Sequence, residues 1–415
     1  MKVVGIIAEY NPFHNGHLYQ IKYAKEKLHA DAVIVVMSGD FVQRGEPAIL
    51  DKYTRCDMAL KNGVDLVLQM PVVASTASAE LFAQTGIGML LSTGVVTDII
   101  FGCEEANREL FVEIAKILLE ESPEFKEVLS ESLKSGASFA KARADAVCSV
   151  YKGQASKEKL EKFLNGANNI LGIEYTKALL LSEKDVLLHP LKRMGIGHDS
   201  LESTAQYASA TLLRKSMMTK KDVSYMVSPY IPANCLEQVV GLVEDNHFLG
   251  ADDLSILVHE RLISKEKTEN ILDLSKELQD RIWNLRNEFT TYTAFCDLVK
   301  TKNLNHSRIR RALVHMVLSL TESDLMKLKE TEFVPYIRVL GFGPTGATLL
   351  KSIKANTVKP LFVSFGEVAK TMSGPSYDLL QKDLFAADVY RILLTQKTGK
   401  TFPTEYTRKF GENLL

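Results

Sequence analysis

The chain has 415 residues, of which 46% are hydrophobic and 24% charged, and a net charge of −1. That is an ordinary globular composition with ample chain for a large core in roughly two or three domains. The near-zero charge excludes bulk attraction to nucleic acid or anionic membrane, so any polyanion has to be held by a local patch.

Five scattered cysteines without a Cys-x-x-Cys pair argue against a zinc site and a disulfide framework, and fit a reducing compartment. The N-terminal apolar run is too short for a signal peptide, and no stretch has the length to span a bilayer. A cytoplasmic protein without a membrane or protein partner is expected.

Val3-Val4-Gly5-Ile6-Ile7-Ala8 predicts a strand over about 2–8, ended by Asn11-Pro12. Leu18, Ile21, Ala24 and Leu28 then recur at helical spacing. His17 therefore falls in the first turn of a helix, and Gly16 lets a ligand approach the backbone. A strand end facing a helix N-terminus offers phosphate unpaired N–H groups and the positive end of a dipole. His14 and His17, in His-x-Gly-His, add two imidazoles able to stabilise charge on a leaving pyrophosphate. The bare motif is weak, and two solvated loop histidines would also produce it. Its place directly after the first strand of an α/β pattern favours the nucleotide site.

Further strands are expected at about 31–37, 64–68 and 97–101. Between them Asp51 can cap a helix that runs past Arg55 to Gly63, and Thr76 or Ser78 can start the next. Near-continuous Val/Ile runs separated by helices mean an α/β fold, a Rossmann-like parallel sheet covered on both faces. Ligands of such sheets collect beyond the carboxyl ends of the strands, which singles out the loops at 9–16, 38–47 and 102–105. The loop Ser38 to Pro47 is either a solvated turn or a binding lip. As a lip, Arg44 or Gln43 holds a carboxylate while Asp40 orients a second substrate or a metal. Gly102 marks a place where a base can lie flat on the backbone.

A helical insertion spans about 105–182, with helices at 105–121, 124–134, 137–151 and 168–182. Asn168 or Asn169 can cap the last, or serve the nucleotide. A strand at about 184–192 and a Gly-x-Gly-His-Asp loop at 195–199 follow. Ser209 is then a good N-cap, and Arg214 sits one turn after Thr211, a combination suited to the far phosphates of a triphosphate. Pro229 and Pro232 mark a boundary near 222–235, beyond which helices are expected at 235–246, 251–264, 266–287 and 306–320. From Lys300 to Thr321 there is no acidic residue, yet Lys300, Lys302, Arg308, Arg310 and Arg311 stand there with His306 and His315. This is a solvated basic helix start or a contact with a phosphate backbone. Val334 to Gly346 reads as strand, Gly turn and helix, with Arg338 and Lys351 available to a phosphate; it serves nucleic acid or closes the domain.

Taken together, His14 to His17 and the Ser-x-Thr-x-x-Arg of Ser209, Thr211 and Arg214 resemble the nucleotidyltransferase superfamily. More narrowly, Glu9 to His17, Gly39 to Pro47 and Asn168 to Tyr175 are similar to the bacterial tRNA(Met) cytidine acetate ligase family, over most of the chain. The resemblance implies that acetate is activated by ATP to acetyl-adenylate with release of pyrophosphate. The acetyl group then passes to the wobble cytidine of elongator tRNA(Met), giving N4-acetylcytidine. It places Ile7, Ala8, Glu9, Asn11, Pro12, Phe13, Gly16, Gln20, Gly102, Asn168, Asn169 and Arg193 at ATP, with Ser209, Thr211 and Arg214 on its β- and γ-phosphates. Catalysis is expected from His14, His17, Asp40 and Arg44, with Mg²⁺ assisting; tRNA contacts are expected from Lys300, Lys302, Arg308, Arg310, Arg311 and Arg338. Residues 1–222 would then be catalytic, and 223–415 would bind tRNA. In-line attack on the α-phosphorus needs no nucleophilic side chain, which suits a sequence without a Ser/His/Asp array. Two alternatives share these features: an adenylyltransferase for a small phosphorylated metabolite, although such enzymes are much shorter, and a non-catalytic tRNA-binding protein.

Overall fold

The structure is a computed structural model and describes residues 1–194, 207–264, 270–368 and 370–408; the loop expected at 195–199 lies outside them. Its strands are β1 (Val3–Ala8), β2 (Ala32–Ser38), β3 (Phe41–Val42), β4 (Glu46–Pro47), β5 (Leu66–Met70), β6 (Asp98–Cys103), β7 (Leu187–Lys192), β8 (Ile337–Phe342) and β9 (Leu361–Phe362). Seven of them form one sheet in the order β7-β6-β1-β2-β5-β8-β9, while β3 and β4 pair as a separate hairpin. All neighbours in the large sheet run parallel except β5 and β8.

The sheet is covered on both faces because its central strands are apolar on both. Every residue of β2 and β5 is buried. Side chains alternate across a strand, so Val33, Val35 and Met37 enter one core and Ile34 and Val36 the other. The first core is shared with α1 (Asn15–Glu26), through Ile21 and Ala24, and α2 (Lys52–Lys61), through Met58 and Ala59. The second is covered by the helices Ala79–Ser92, Arg108–Glu120 and Ala167–Leu181. A third apolar cluster belongs to helices of the C-terminal half and takes in Phe41 and Val72. No helix among the described residues is long and apolar enough to cross a membrane.

The chain builds β1, β2 and β5 outward on one side, then returns to lay β6 and β7 on the other. This reversal between β1 and β6 opens a crevice at their carboxyl ends, where ligands of doubly wound sheets bind. Asp51 caps α2 as expected, accepting from Tyr53 N and Thr54 N, and Ser78 rather than Thr76 caps the next long helix. Periodicity did not reveal the helix Lys157–Asn165 or the 25-residue helix Gly374–Thr398. Of the helix expected at 266–287, residues 266–269 lie outside the described ones, and within 270–287 the α-helix is Lys276–Leu285, followed by a short 3₁₀ turn at Arg286–Glu288.

The second half of the chain also completes the sheet. Arg338, on β8, is only 2% exposed and so does not meet nucleic acid, contrary to expectation. Its guanidinium donates to Gln69 Oε1 at 2.6 Å and to Tyr53 Oη at 2.9 Å, and pairs with Glu405. Lys351 remains exposed on the helix Pro344–Asn356. Glu405 also takes Lys52 Nζ at 2.6 Å. Burial alone would raise the Glu405 pKa, but Arg338 and Lys52 overcome it and hold the carboxyl well below the usual range. Truncating one member of such a buried pair strands the other. Arg338→Met is therefore expected to cost about 3–5 kcal/mol of unfolding free energy in urea denaturation, where an exposed contact residue would lose less than about 0.5 kcal/mol.

Candidate active site at the end of the central strand

A cleft of about 740 Å³ opens beyond β1. Its floor is set by Arg55 of α2, which has no exposed surface. The guanidinium donates to Glu9 O at 2.5 Å, Ser38 O at 3.1 Å and Leu50 O at 2.9 Å, and also to Gly39 O. The ends of β1 and β2 are thereby tied to one cation. Past Glu9 the chain turns through Tyr10, at φ +49°, and a cis Asn11–Pro12 bond into α1.

His14 is the N-cap of α1, and its Nδ1 accepts from Gly16 N at 3.0 Å. His17 Nδ1 accepts in turn from His14 N at 3.2 Å, closing a reciprocal capping box. The two rings stack with centroids 3.7 Å apart, and both line the cleft. Because each Nδ1 is used as an acceptor, the neutral imidazoles carry their proton on Nε2 and are donors there. Burial, then His14 and Arg193, push the His17 pKa well below its ordinary value, so this ring stays neutral.

Arg214 comes from the helix Ala210–Thr219, which Ser209 caps by accepting from Leu212 N at 3.1 Å. The guanidinium donates to Asn11 O at 2.9 Å and to Thr211 Oγ1 at 3.3 Å, and lies 3.6 Å from Glu46 Oε1. Two sequence signatures almost two hundred residues apart thus face one cleft. On the opposite wall a Cβ on Gly102 would stand 3.3 Å from Arg193 Cγ. Arg193 donates to Asn168 Oδ1 at 3.3 Å, and Gln20 to Ile100 O at 3.0 Å. Asn11 Nδ2, Gln43 Nε2 and Arg310 Nε are buried donors without an acceptor, on residues that line the cleft. Such a donor set suits an oxygen-rich anion.

A family model described as HIGH Nucleotidyl Transferase matches residues 1–404. The tRNA(Met) cytidine acetate ligase of Caldanaerobacter subterraneus subsp. tengcongensis is 38% identical over 393 residues, which are 94% of this chain and 95% of that one. The protein of the same name from Clostridium novyi is 33% identical, over 95% of this chain and 96% of that one. The chain belongs to the tRNA(Met) cytidine acetate ligase family.

Two crystal structures of Thermotoga maritima TmcAL share its fold across 96% of both chains. The apo form has a TM-score of 0.89 at 31% identity, and the form bound with alpha-thio ATP 0.86 at 32%.

Of the residues expected to serve this ligase-family site, Ile7, Ala8, Glu9, Asn11, His14, Gly16, His17, Gln20, Arg44, Gly102, Asn168, Arg193 and Arg214 line the cleft. Others stand behind it. Asp40 is not free to orient a substrate or metal, because it accepts from the buried Lys52, through N at 3.0 Å and Nζ at 2.6 Å. Pro12 is part of the turn, and Phe13 packs edge-on against Tyr10 at 4.9 Å. Asn169 is buried, with Oδ1 accepting from Glu104 N and Glu105 N. Neither Asn168 nor Asn169 caps its helix: Gly166 is the N-cap, and the Glu104 carboxylate accepts from both their backbone N–H groups. Ser209 and Thr211 serve the helix start and Arg214 respectively, not the cleft wall.

The basic segment divides. Lys300 and Lys302 are exposed, and Arg308 lines a second cavity of about 340 Å³ beside Asp273. Arg310 and Arg311, on the helix His306–Leu318, line the main cleft, and from there Arg310 pairs with Glu46 at 3.3 Å and Arg311 with Asp273 of the second cavity at 2.8 Å. Gly45 explains the docking. It sits at φ +72° between β3 and β4, and a Cβ there would lie 2.4 Å from the Arg310 carbonyl carbon. Composition did not single out the apolar and aromatic lining of Tyr19, Phe82, Phe101, Leu171, Tyr175 and Tyr207. The one available signal was adjacency, Phe101 to Gly102 and Tyr207 to the Ser209 motif.

The depressed His17 pKa fixes a sign. Below the ordinary value of 6.5 the unfolded chain takes up a proton that folded His17 refuses, so stability falls as pH falls. His17→Gln is expected to flatten this dependence, seen as a smaller change in urea midpoint between about pH 7 and about pH 5 than in the unaltered protein.

Proposed function

We propose that this chain activates acetate with ATP as acetyl-adenylate and transfers the acetyl group to the wobble cytidine of elongator tRNA(Met), forming N4-acetylcytidine. The observation that carries the reading is the single cleft shared by His14, His17 and Arg214. The relatives named above favour it over adenylylation of a small metabolite or passive tRNA binding.

In the first step an acetate oxygen attacks the α-phosphorus and negative charge grows on the departing pyrophosphate. The Nε2–H groups of His14 and His17, the positive end of the α1 dipole and the Arg214 guanidinium would stabilise that charge. The adenosine would lie near Gly102, where the absence of a side chain lets Arg193 pack close to the backbone and reach Asn168. Among the described residues no group of three or more His, Cys, Asp or Glu side chains is set to hold a metal. Mg²⁺, when bound with the triphosphate oxygens, would supply charge neutralisation.

In the second step the wobble base would be turned out of its stack to reach the mixed anhydride. Residues 1–222 would carry the chemistry. The helices beyond 223 would position the anticodon arm, with Lys300, Lys302 and Arg308 on phosphates and Arg310 and Arg311 at the cleft mouth. The setting would be the cytoplasm.

Nucleoside analysis of tRNA incubated with the protein, ATP and acetate is expected to show N4-acetylcytidine, lost when any one component is omitted. His17→Ala is expected to lower acetate-dependent pyrophosphate–ATP exchange by about 10²–10³-fold, as for loss of a transition-state donor. Lys300→Glu with Lys302→Glu is expected to weaken tRNA binding and reduce its log–log salt slope by about 1 per lost phosphate contact. Filter binding across a salt series checks this.

A further inference from the structure

We infer that Glu9 is the base that accepts the proton of the cytidine amine during acetyl transfer, an assignment that rests on the ligase reading above. Glu9 lies just past the carboxyl end of β1, with its carbonyl held by Arg55. One carboxylate oxygen accepts from Gln43 N at 2.9 Å, which orients the group and leaves the other oxygen for a ligand. Glu9 is the sole Asp or Glu among the described residues that line the cleft.

Among the described residues the other candidate bases are committed elsewhere. His14 and His17 spend their Nδ1 lone pairs on backbone N–H groups and present protonated Nε2 atoms. Glu46 is held between Arg214 and Arg310, and Asp40 is closed off by Lys52. His306, at the rim, faces Asp297 at 3.5 Å.

What surrounds Glu9 matches the edge of a pyrimidine. Cytosine offers a donor amine at N4 and acceptors at N3 and O2. Glu9 supplies the acceptor for the amine. The buried Gln43 Nε2 lacks a partner, and the 3%-exposed Tyr175 carries a hydroxyl; both residues line the cleft and offer donors. Phe82 and Phe101 add flat apolar walls against which a base can stack.

As N4 attacks the acetyl carbonyl carbon, the N4–C bond forms and the C–O bond to the adenylate phosphate breaks. AMP leaves with that electron pair, and the N4 proton passes to Glu9 and then to solvent. Among the described residues the groups facing Glu9 are Gln43 N–H, Arg44, Arg55, Arg214, Glu46 and Tyr175. Burial raises the carboxyl pKa against the opposing pull of Gln43, Arg44 and Arg214, which makes it a stronger base than a solvated glutamate.

Single-turnover assays with ATP, radiolabelled acetate and unmodified elongator tRNA(Met) transcript would measure acetyl-adenylate and acetylated tRNA in the same sample. Glu9→Gln keeps the oxygen that accepts from Gln43 N. It is expected to accumulate acetyl-adenylate, with transfer slowed by about 10²–10⁴-fold. In the unaltered protein transfer should fall as pH drops through the Glu9 titration, a limb absent from the variant. Transfer by the variant at the unaltered rate overturns the assignment. So does loss of adenylate formation by the same factor as overall acetylation, which would place Glu9 in the first step or in the fold. If the unaltered protein makes neither product, the ligase reading falls and the role of Glu9 with it.

Discussion

A buried cation holds the working end of this molecule together. Removing a guanidinium from water is costly unless its donors are met, and Arg55 meets the cost with carbonyl oxygens from Glu9, Ser38, Gly39 and Leu50. Those carbonyls come from the ends of β1 and β2 and from the segment leading into α2, so no one of them can shift alone. Because Glu9 is fixed, the turn through Asn11–Pro12 delivers His14 to the N-cap of α1, and the capping box orients both rings. The capped amides thus fix the two imidazoles, whose Nε2–H groups form a preorganised donor pair at the positive end of the helix dipole, which is what stabilisation of a developing anion requires.

The two halves of the chain are interlocked at the same place. Tyr292 donates to Gly45 O and to Arg310 O, so the hairpin of β3 and β4 and the basic helix share one phenol. Glu46 then sits between Arg214 of the first half and Arg310 of the second. This carboxylate sets the spacing of two cations that would otherwise repel at the mouth of an anion-binding cleft. On the other side of the hairpin, Asp40, Lys52, Glu405 and Arg338 form a buried charge chain that spans nearly the whole sequence. The cleft is thus framed by both halves of the protein.

Much of this was legible from local pattern. Val/Ile runs gave the first strands, the spacing of Leu18, Ile21 and Ala24 gave α1, and the two signatures supplied His14, His17 and Arg214, which meet in one cleft. The misreadings share a cause: a polar residue's role depends on partners that lie far away in sequence. Asp40 looked like a substrate ligand until Lys52 closed on it, and Arg338 looked like a phosphate contact until Glu405 and Gln69 took its donors. Asn168 and Asn169 looked like caps because Glu104, which does that work, comes from the end of another strand. For Glu9 the sequence indicates only a place in a nucleotide-lining run, since nothing in it shows that Asp40 and Glu46 are paired with cations.

The antiparallel pairing of β8 with β5 has a consequence for how the molecule is made. Leu66–Met70 is a fully buried strand, apolar except for Gln69, yet its second neighbour arrives only with Ile337–Phe342. On the ribosome, five earlier strands of the sheet emerge long before that neighbour, and a flat, greasy flank with unmet amides stays open to any other nascent chain. A gene cut near codon 222 would leave that flank open for good, so dissecting this protein by truncation would yield a sticky fragment rather than an isolated catalytic half.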